Sequence, residues 1–527
     1  MSLISFFVLV LVHDKYFKIY DYYLKYVGVL DSYIARDNGE WKKFLDKGVE
    51  FLDDNKQFLS DLDVLGDCSL FQYLSVCKTL GGREKLVERL SNVNLGEDEL
   101  NKSQRLIEEL VGDVDFCVKF QVMMNYYEKK KVHLSGRLKN FEKGVESGFD
   151  LVIGGIAGCI CILLLVLGLL GILPMAYFYG MFFSNLGLSF VYSYIYREDF
   201  IQLDELVSYY SKLVPVMELM AGDKGTSKIK SAKMKQYVTN SKNGIDASSK
   251  LKALEGFSSL RSNLLSNFLF NGLGCLNLLV RVRYADFVSK YFKEIEGIVG
   301  EIEELEAMIS LATIGIIRDD VCMPVVDEKV SLKFDGLKHP LISEDLCVSN
   351  SFDGKSGVNI ITGSNMGGKT TFLRTIGINM ILMQAGSYVC ASNFSTSYFK
   401  IFTSMRVMDN VDKGISTFYG ELLRIKDMVE YNGKGNMIVL IDEIFKGTNY
   451  EDRMYGAREV VRKLNNKSTI AFITTHDFEL CDSEGVKNYH VKEEYEGDRI
   501  VFDYKIRNGK CTSTNAKYLM KKLDIVN

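Results

Sequence analysis

The segment ITGSNMGGKTTFL, Ile361 to Leu373, constrains the fold of this chain more than any other feature. Residues 363–370 fit the pattern GxxxxGK[ST], in which glycines let backbone N–H groups turn towards phosphate oxygens. An apolar strand, Val358 to Thr362, precedes the pattern, and a helix from Lys369 to Gln384 is predicted to follow it. A strand, a glycine-rich loop and a helix in this order predict an α/β domain that holds phosphate groups.

The loop residues have predicted roles in binding ATP. The N-terminus of the helix adds partial positive charge, the Lys369 ammonium reaches the β- and γ-phosphates, and the Thr370 hydroxyl is a ligand for Mg²⁺. Lys369 is also a predicted catalytic residue. The predicted nucleotide-binding residues are Gly363, Ser364, Asn365, Met366, Gly367, Gly368, Lys369, Thr370 and Thr371.

Two later strands end in polar residues. NMIVLIDE, Asn436 to Glu443, predicts a strand whose Asp442 joins the Mg²⁺ shell and whose Glu443 acts as general base on the attacking water. STIAFITTH ends at His476, which we interpret as a γ-phosphate sensor because open α/β folds bind ligands at strand ends. A lone histidine is otherwise more often a packed or surface residue. The predicted cofactors are therefore ATP and Mg²⁺.

Composition and periodicity indicate several domains. With 527 residues the chain is too long for one ordinary core, and 4 prolines against 44 glycines favour long helices. Helical periodicity covers residues 40–150 and 197–312, whereas short β-branched runs alternate with helices after Val321. The predicted fold class is multidomain α and α/β, with the boundary of the α/β domain at residues 321–330. The 11 cysteines are scattered and are predicted to be reduced thiols.

Two uncharged runs, residues 151–172 and 175–196, flank the break Leu173-Pro174. Each run has 22 residues, and a helix of that length rises about 33 Å and spans a bilayer. The pair predicts a transmembrane helical hairpin in contact with lipid; the alternative is a buried hairpin in a soluble core. Basic flanks place the ATPase domain of this multi-pass membrane protein in the cytoplasm. These flanking residues are Lys129, Lys130, Lys131, Arg137, Lys139, Lys143 and Arg197.

Two further stretches leave alternatives open. Leu3 to Val12 is apolar but rises only about 15 Å as a helix, so it is either an interfacial anchor or a plain core helix. Lys224 to Lys252 holds eight lysines, which form a solvated helical face by default, or contact anionic lipid or nucleic acid. The formal net charge of −4 means that any nucleic-acid contact is local.

These motifs resemble the MutS family, the ATPases of DNA mismatch repair. GSNMGGKTTFLR is similar to its phosphate loop, and DEIFKGTNYED, Asp442 to Asp452, to the strand end and loop that follow. KGISTFYGEL, Lys413 to Leu422, resembles its signature segment, and KHPLI, Lys338 to Ile342, its entry to the ATPase domain. Asp61 to Leu90 resembles the start of its helical core.

The resemblance implies a P-loop ATPase domain of ABC-like α/β fold that pairs face to face with a second copy. In such a pair the signature residues Ser416, Thr417 and Phe418 approach the γ-phosphate held by the partner. The chain departs from the family at Phe445 and Arg453, where the family prefers glycine. The 60 residues before the core-like segment are too few for mismatch-reading and connector domains, which suggests a shorter, membrane-bearing MutS-like type.

The predicted domains are an N-terminal helical segment (1–60), a helical core in two parts (61–150 and 197–320), the hairpin between them (151–196) and the ATPase domain (321–527). The first functional hypothesis is a membrane-anchored homodimer in which ATP moves helical arms on DNA or on a protein partner. The second is a mismatched-DNA-binding repair protein whose Lys224–Lys252 stretch contacts the phosphate backbone. The third, an ABC-transporter-like energy module, ranks last because the Leu-Ser-Gly-Gly-Gln signature is absent.

Overall fold

A computed structural model describes residues 3–53, 56–91, 96–126, 148–222, 231–364, 366–406, 417–496 and 499–511. The chain divides into two compact units, each built from several segments. The first consists of Met1–Lys25, Lys78–Gly82 and Asp115–Leu305, and the second of Tyr26–Cys77, Arg83–Val114 and Glu306–Asn527. The predicted domains are mostly continuous ranges of the sequence, whereas each of these units combines three separate segments. The predicted domain boundaries stay a prediction.

Helices dominate the first unit and flank the sheet in the second. In chain order the helices are α1 (Leu3–Asp37), α2 (Phe58–Asp61), α3 (Leu70–Leu74), α4 (Leu80–Ser91), α5 (Glu97–Val111), α6 (Val114–Asn125), α7 (Gly148–Leu169), α8 (Met175–Ile195), α9 (Arg197–Ala221), α10 (Ala232–Ser262), α11 (Leu264–Gly274), α12 (Leu276–Ile317), α13 (Lys369–Gln384), α14 (Thr417–Tyr431) and α15 (Tyr450–Leu464). Short 3₁₀ turns cover Glu40–Lys43, Val49–Phe51 and Phe478–Asp482.

The second unit contains two sheets. The strands are β1 (Val325–Val326), β2 (Ser331–Leu337), β3 (Asn350–Lys355), β4 (Gly357–Thr362), β5 (Asn393–Thr396), β6 (Lys400–Ser404), β7 (Met437–Asp442), β8 (Thr469–Thr474), β9 (Lys487–Glu496) and β10 (Arg499–Asn508). The larger sheet has the order β10-β9-β4-β8-β7-β6, and the smaller one β1-β5-β2-β3. In the larger sheet β9, β4, β8, β7 and β6 are parallel, and β10 is an antiparallel edge.

The central strands β7 and β8 of the larger sheet are buried on both faces. Every residue of β8 and all but the last of β7 are buried, the run typical of a parallel strand covered on both sides. One face packs on α14 and α15 through Ile425, Met428 and Met454, and Leu440 of β7 contacts α13 on the other. Because the strands are parallel, the carboxyl ends of β4, β7 and β8 meet at one edge. The predicted strand before the phosphate loop and the predicted helix after it are confirmed.

Residues 151–196 form the helices α7 and α8, joined by a short turn, and the membrane-spanning role of this hairpin stays a prediction. In the part of the chain that the structure describes, no single helix has both the length and the apolar character needed to cross a membrane. Gly154–Leu169 of α7 is a shorter apolar helix, and the bent pair α11 and α12, which meet at 90°, meets the criterion jointly. The lysine-rich flank at residues 129–143 lies outside the described residues.

The other uncertain stretches also have a place in the structure. Residues 3–12 begin the 35-residue helix α1, and Phe6, Leu9 and Leu11 are exposed, which argues against a plain core helix. The described part of the basic stretch belongs to α10, whose opposite face buries Met234 and Tyr237. This arrangement fits a solvated helical face. The 11 cysteines are free in the structure, and their reduced state stays a prediction.

Candidate active site

The phosphate loop joins β4 to α13 and needs glycine at both ends. Gly363 has φ of +133°, and a Cβ there would lie 2.4 Å from Val491 Cγ2. Gly368, the N-cap of α13, has φ of +85° and lies against the Tyr504 ring. Side chains rarely adopt these backbone angles, so only glycine fits the turn without strain. Asn365 lies outside the described residues, and Met366 is exposed.

Lys369 is buried at the start of α13. Its Nζ donates to the carbonyl oxygens of Gly363, at 2.6 Å, and Ser364, at 2.9 Å. Burial lowers the pKa of Lys369, and the carboxylates of Glu443 and Asp442 oppose that shift. The ammonium thus lies inside the phosphate loop and donates hydrogen bonds to two carbonyl groups of that loop.

Asp442 ends β7 beside the loop and holds two hydroxyls. Thr370 Oγ1 donates to Oδ2 at 2.9 Å, and Thr474 Oγ1 donates to Oδ1 at 2.7 Å. Hydroxyl and carboxylate oxygens are the ligands that Mg²⁺ prefers, and it usually completes its shell with water and phosphate oxygens. The adjacent Thr370 and Asp442 oxygens therefore fit the predicted metal.

Glu443 follows in the left-handed region, with φ of 57°. Its N–H donates to Thr474 Oγ1 at 3.0 Å, which directs its side chain towards His476. Glu443 Oε1 lies 3.2 Å from His476 Nε2, and that nitrogen lies 3.4 Å from Lys369 Nζ. The hydrogen bond with His476, together with nearby Lys446, lowers the pKa of Glu443 to about 2. The structure thus brings together Lys369, Glu443 and His476, the three residues predicted to act in catalysis.

The signature helix α14 contacts the loop that carries Glu443. Glu421 is buried and accepts a hydrogen bond from the Phe445 N–H at 2.6 Å, and burial raises the pKa of Glu421. The Phe418 and Phe445 rings meet edge to face, 6.2 Å apart. Ser416 lies outside the described residues, and Thr417 begins α14. Of the predicted signature residues, Phe418 is therefore placed within the same copy, against the loop after β7.

The two departures from the family pattern have structural roles here. Phe445 adopts φ of 59° and packs in the core between α14 and α15. Arg453 on α15 donates to both carboxylate oxygens of Asp477, at 3.0 and 3.1 Å. Asp477 directly follows His476, so this pair stabilises the segment that carries the predicted sensor.

A cavity of about 330 Å³ adjoins the phosphate loop. Sequence reasoning missed it, because its walls come from three separate segments, residues 337–350, residues 368–375 and Tyr504. Asn350 fixes one wall, since its side chain donates to the Tyr504 carbonyl at 3.0 Å and accepts from the Ile506 N–H at 2.8 Å. The lining residues are Leu337, His339, Ile342, Leu346, Cys347, Val348, Asn350, Gly368, Thr371, Phe372, Thr375 and Tyr504.

The KHPLI segment supplies part of this cavity wall. His339 is buried, and burial lowers its pKa to about 4. Its Nδ1 accepts from the Leu341 N–H at 3.2 Å, so the imidazole stays neutral and shapes the turn. Asn379 of α13 donates to the Lys338 carbonyl at 3.0 Å. The segment is thereby fixed to the helix that starts at the phosphate loop.

Asp61 and Asp63 were also missed as site residues. Asp61 is fully buried and accepts from Thr403 Oγ1 at 2.8 Å and from Arg424 of α14 at 2.8 Å. Asp63 accepts from Arg374 of α13 at 3.1 Å. Two carboxylates from one short segment therefore hold both the phosphate-loop helix and the signature helix. The only sequence signal was the pair of acids in the otherwise apolar start of the core-like segment.

Comparison with known proteins agrees with this geometry. Residues 359–521 match the family model of MutS domain V. The DNA mismatch repair protein MutS of Clostridium kluyveri is 32% identical over 248 residues, which is 44% of this chain and 28% of the relative. Those of Lactobacillus johnsonii and Carboxydothermus hydrogenoformans are 29% and 27% identical over 44% and 47% of this chain. The match spans about 28% to 32% of the length of these relatives.

Proposed function

We propose that this chain, which carries a MutS-like ATPase domain related to DNA mismatch repair proteins, binds ATP with Mg²⁺ and hydrolyses it at the edge of its larger sheet. The observation that carries the proposal is the convergence of three strand ends. They bring the phosphate loop, Asp442, Glu443 and His476 within hydrogen-bond distance of one another. Such positioning and charge stabilisation supply most of the catalysis in phosphoryl transfer.

Each residue has a distinct role in this mechanism. When ATP binds, the Lys369 ammonium leaves the loop carbonyl oxygens and donates to the β- and γ-phosphate oxygens instead. Because the phosphates are negatively charged, they compensate its buried charge better than neutral carbonyls do. Thr370 and Asp442 would hold Mg²⁺, which would supply positive charge to neutralise the phosphates. Glu443 stays ionised at neutral pH, since its pKa is about 2, and orients the attacking water. His476, between Glu443 and Lys369, senses the γ-phosphate.

The cavity beside the loop fits the nucleobase. It opens next to Gly368 and Thr371, at the end of the loop where the α-phosphate and ribose would leave the phosphate cradle. Its walls are largely apolar, and the exposed Tyr504 ring offers a face for stacking. A purine held here would explain why β10 contributes to the site.

The dimer proposal concerns the signature segment. Ser416, Thr417 and Phe418 would complete the ATP pocket of a second copy, so that ATP joins the two ATPase domains and hydrolysis separates them. The hydrogen bond between Glu421 of α14 and the loop after Glu443 supports this proposal. It gives the signature helix a direct way to respond to nucleotide in its own copy.

Membrane anchorage through residues 151–196 is also part of the proposal. Its support is the uncharged sequence and the large apolar side chains that α7 and α8 expose, among them Leu163, Phe183 and Phe190. Exposed apolar surface of this extent is typical of protein or membrane contacts. The ATPase domain would then lie on the cytoplasmic side.

We propose DNA as the partner on which the dimer acts, since the matched relatives are named DNA mismatch repair proteins. The exposed lysines of α10, including Lys235 and Lys242, are the candidate phosphate contacts. Affinity for a DNA duplex should then fall steeply with salt, and replacing these lysines by glutamine should reduce the salt dependence. An affinity that does not respond to salt would favour a protein partner.

The Glu443→Gln variant tests the central chemistry. The amide keeps the shape of the side chain but cannot accept a proton, so turnover should fall by about 10² to 10⁴ while ATP binding remains. Phosphate release and binding of a fluorescent ATP analogue measure the two properties. Glu451→Gln, on the exposed first turn of α15, is the matched control. Full turnover in Glu443→Gln would overturn the role of this residue.

A further inference from the structure

The short helix α11 shares the features of the proposed membrane hairpin. Its sequence, LLSNFLFNGLG, carries no charge. Leu264 and Leu265 are 85% and 79% exposed, and Phe268, Leu269 and Phe270 are exposed as well. Because a soluble protein rarely leaves so many large apolar side chains on one short helix in water, this surface requires an apolar partner.

One side of α11 packs on both helices of the hairpin, and the half-exposed Phe268 lies at the border of that side. The Phe268 ring lies 5.5 Å from that of Phe182 on α8. A Cβ at Gly158 of α7 would lie 3.2 Å from the Cα of Gly274, so the two backbones approach closely. Small residues at such contacts are typical of helices packed within a bilayer. The helices α7, α8 and α11 therefore form one packed unit, the three-helix unit.

The break between α11 and α12 is buried, and side chains of the three-helix unit form hydrogen bonds with the backbone groups that it frees. Cys275 adopts φ of 51° and is fully buried. The Gly272 carbonyl, left free by the break, accepts from Asn185 Nδ2 of α8 at 3.1 Å. Asn271 Oδ1 accepts from the Asn277 N–H at 2.9 Å. Broken helices are tolerated at membrane depth only where protein satisfies the freed backbone groups, as it does here.

Ion pairs show that the start of α11 and the start of α12 both lie beside the first turns of α9. Arg261, just before α11, pairs with Asp204 of α9. Arg281, in the second turn of α12, donates to Asp199 of α9 at 2.7 Å. Both acids lie in the first turns after the hairpin, so the chain leaves and returns at the side where α8 ends. A helix of 11 residues rises about 16 Å, roughly half a hydrocarbon core.

We propose that α11 and the first turn of α12 form a re-entrant membrane segment, whose exposed face contacts lipid acyl chains. The inference rests on the proposed membrane anchorage and extends it from two helices to the three-helix unit. In this arrangement the uncharged surface lies in the hydrocarbon, and the Arg261–Asp204 and Arg281–Asp199 pairs lie at the interface. Asn185 closes the broken backbone from inside, where water is excluded.

Tryptophan fluorescence in the full-length protein tests the proposal, because the chain has 1 tryptophan, the buried Trp41. Phe268→Trp reports on α11 and Phe183→Trp on the hairpin, and Tyr455→Trp on exposed α15 is the control. Each variant is reconstituted into phosphatidylcholine vesicles with or without brominated acyl chains. Leu265→Trp replaces Phe268→Trp if the latter fails to fold.

Brominated lipid should quench the added fluorescence of Phe268→Trp and Phe183→Trp by half or more, and that of Tyr455→Trp not at all. Acrylamide, a quencher in water, should give the opposite order. If brominated lipid quenched Phe183→Trp but not Phe268→Trp, the re-entrant segment would be wrong and the proposed membrane anchor would stand. Absence of quenching in both would overturn the anchor as well. If a second copy covered α11, Phe268→Trp would resist both quenchers, which also overturns the proposal.

Discussion

The nucleotide site and the three-helix unit place their polar groups in opposite ways. At the sheet edge, Thr370, Asp442, Glu443 and His476 converge on an open rim, where phosphate, metal and water are the natural partners. In the three-helix unit, Asn185 and Asn271 point inward to close a broken backbone, and the outward face is leucine and phenylalanine. The proposed membrane placement accounts for this difference, with water at the sheet edge and hydrocarbon around the three-helix unit.

The largest predicted effect is on stability and concerns Arg424, a mostly buried residue of the signature helix α14. Arg424→Met leaves the fully buried Asp61 carboxylate without its cation. Breaking a buried ion pair from one side costs about 3 to 5 kcal/mol. The unfolding midpoint of the second unit should fall markedly in thermal or urea denaturation. Arg458→Met, which breaks an exposed pair with Glu479, should leave that midpoint unchanged.

An intermediate effect is expected at the cavity. Tyr504→Ala removes the aromatic face beside Gly368, and loss of base stacking costs about 1 to 3 kcal/mol. ATP affinity should fall by roughly 5- to 150-fold. Inorganic triphosphate, which has no base, should bind the variant and the parent equally. Equal loss for both ligands would mean that Tyr504 supports the phosphate loop instead of a base.

The smallest predicted effect is on stability, and it compares a lost hydrogen bond in the proposed hydrocarbon environment with one lost in water. Asn185→Leu leaves the Gly272 carbonyl with only the weak Cys161 thiol as donor, and should destabilise the reconstituted protein by about 1 kcal/mol. Asn432→Leu loses a bond to the exposed Lys463 carbonyl and one from Asn466, where water can replace both. The shift in thermal midpoint should therefore be larger for Asn185→Leu. Equal shifts would contradict the assignment of different solvents.

The sequence was sufficient to predict the local part of the nucleotide site. Gly363 to Thr370, the strand before them and the helix after them form one short segment, and the pattern of glycines and Lys369 encodes its shape. Asp442 and His476 were predictable because buried parallel strands end at one edge. These signals depend on a few neighbouring residues. The structure confirms the predicted strands and helix, and the roles of the site residues stay predictions.

The missed features depend on contacts between distant segments. Asp61 and Arg424 are 363 residues apart, and no local pattern links them. Tyr504 reaches the phosphate loop only through the edge hairpin of β9 and β10. The helical region of residues 197–312 was interpreted as long packed helices, whereas Cys275 breaks it and sets α11 apart. The nearby Gly272 and Gly274 were a hint, but the buried break depends on Asn185, far along the chain.

A mixing experiment tests most directly the claim that two copies form each ATP pocket. Lys369→Ala should not bind ATP but keeps its signature segment, and Ser416→Ala binds ATP but cannot complete a partner's pocket. Each variant alone should release almost no phosphate. In an equal mixture half of the dimers are mixed and have one complete site, so about a quarter of parental activity should return. Activity in either variant alone, or none in the mixture, would contradict the account.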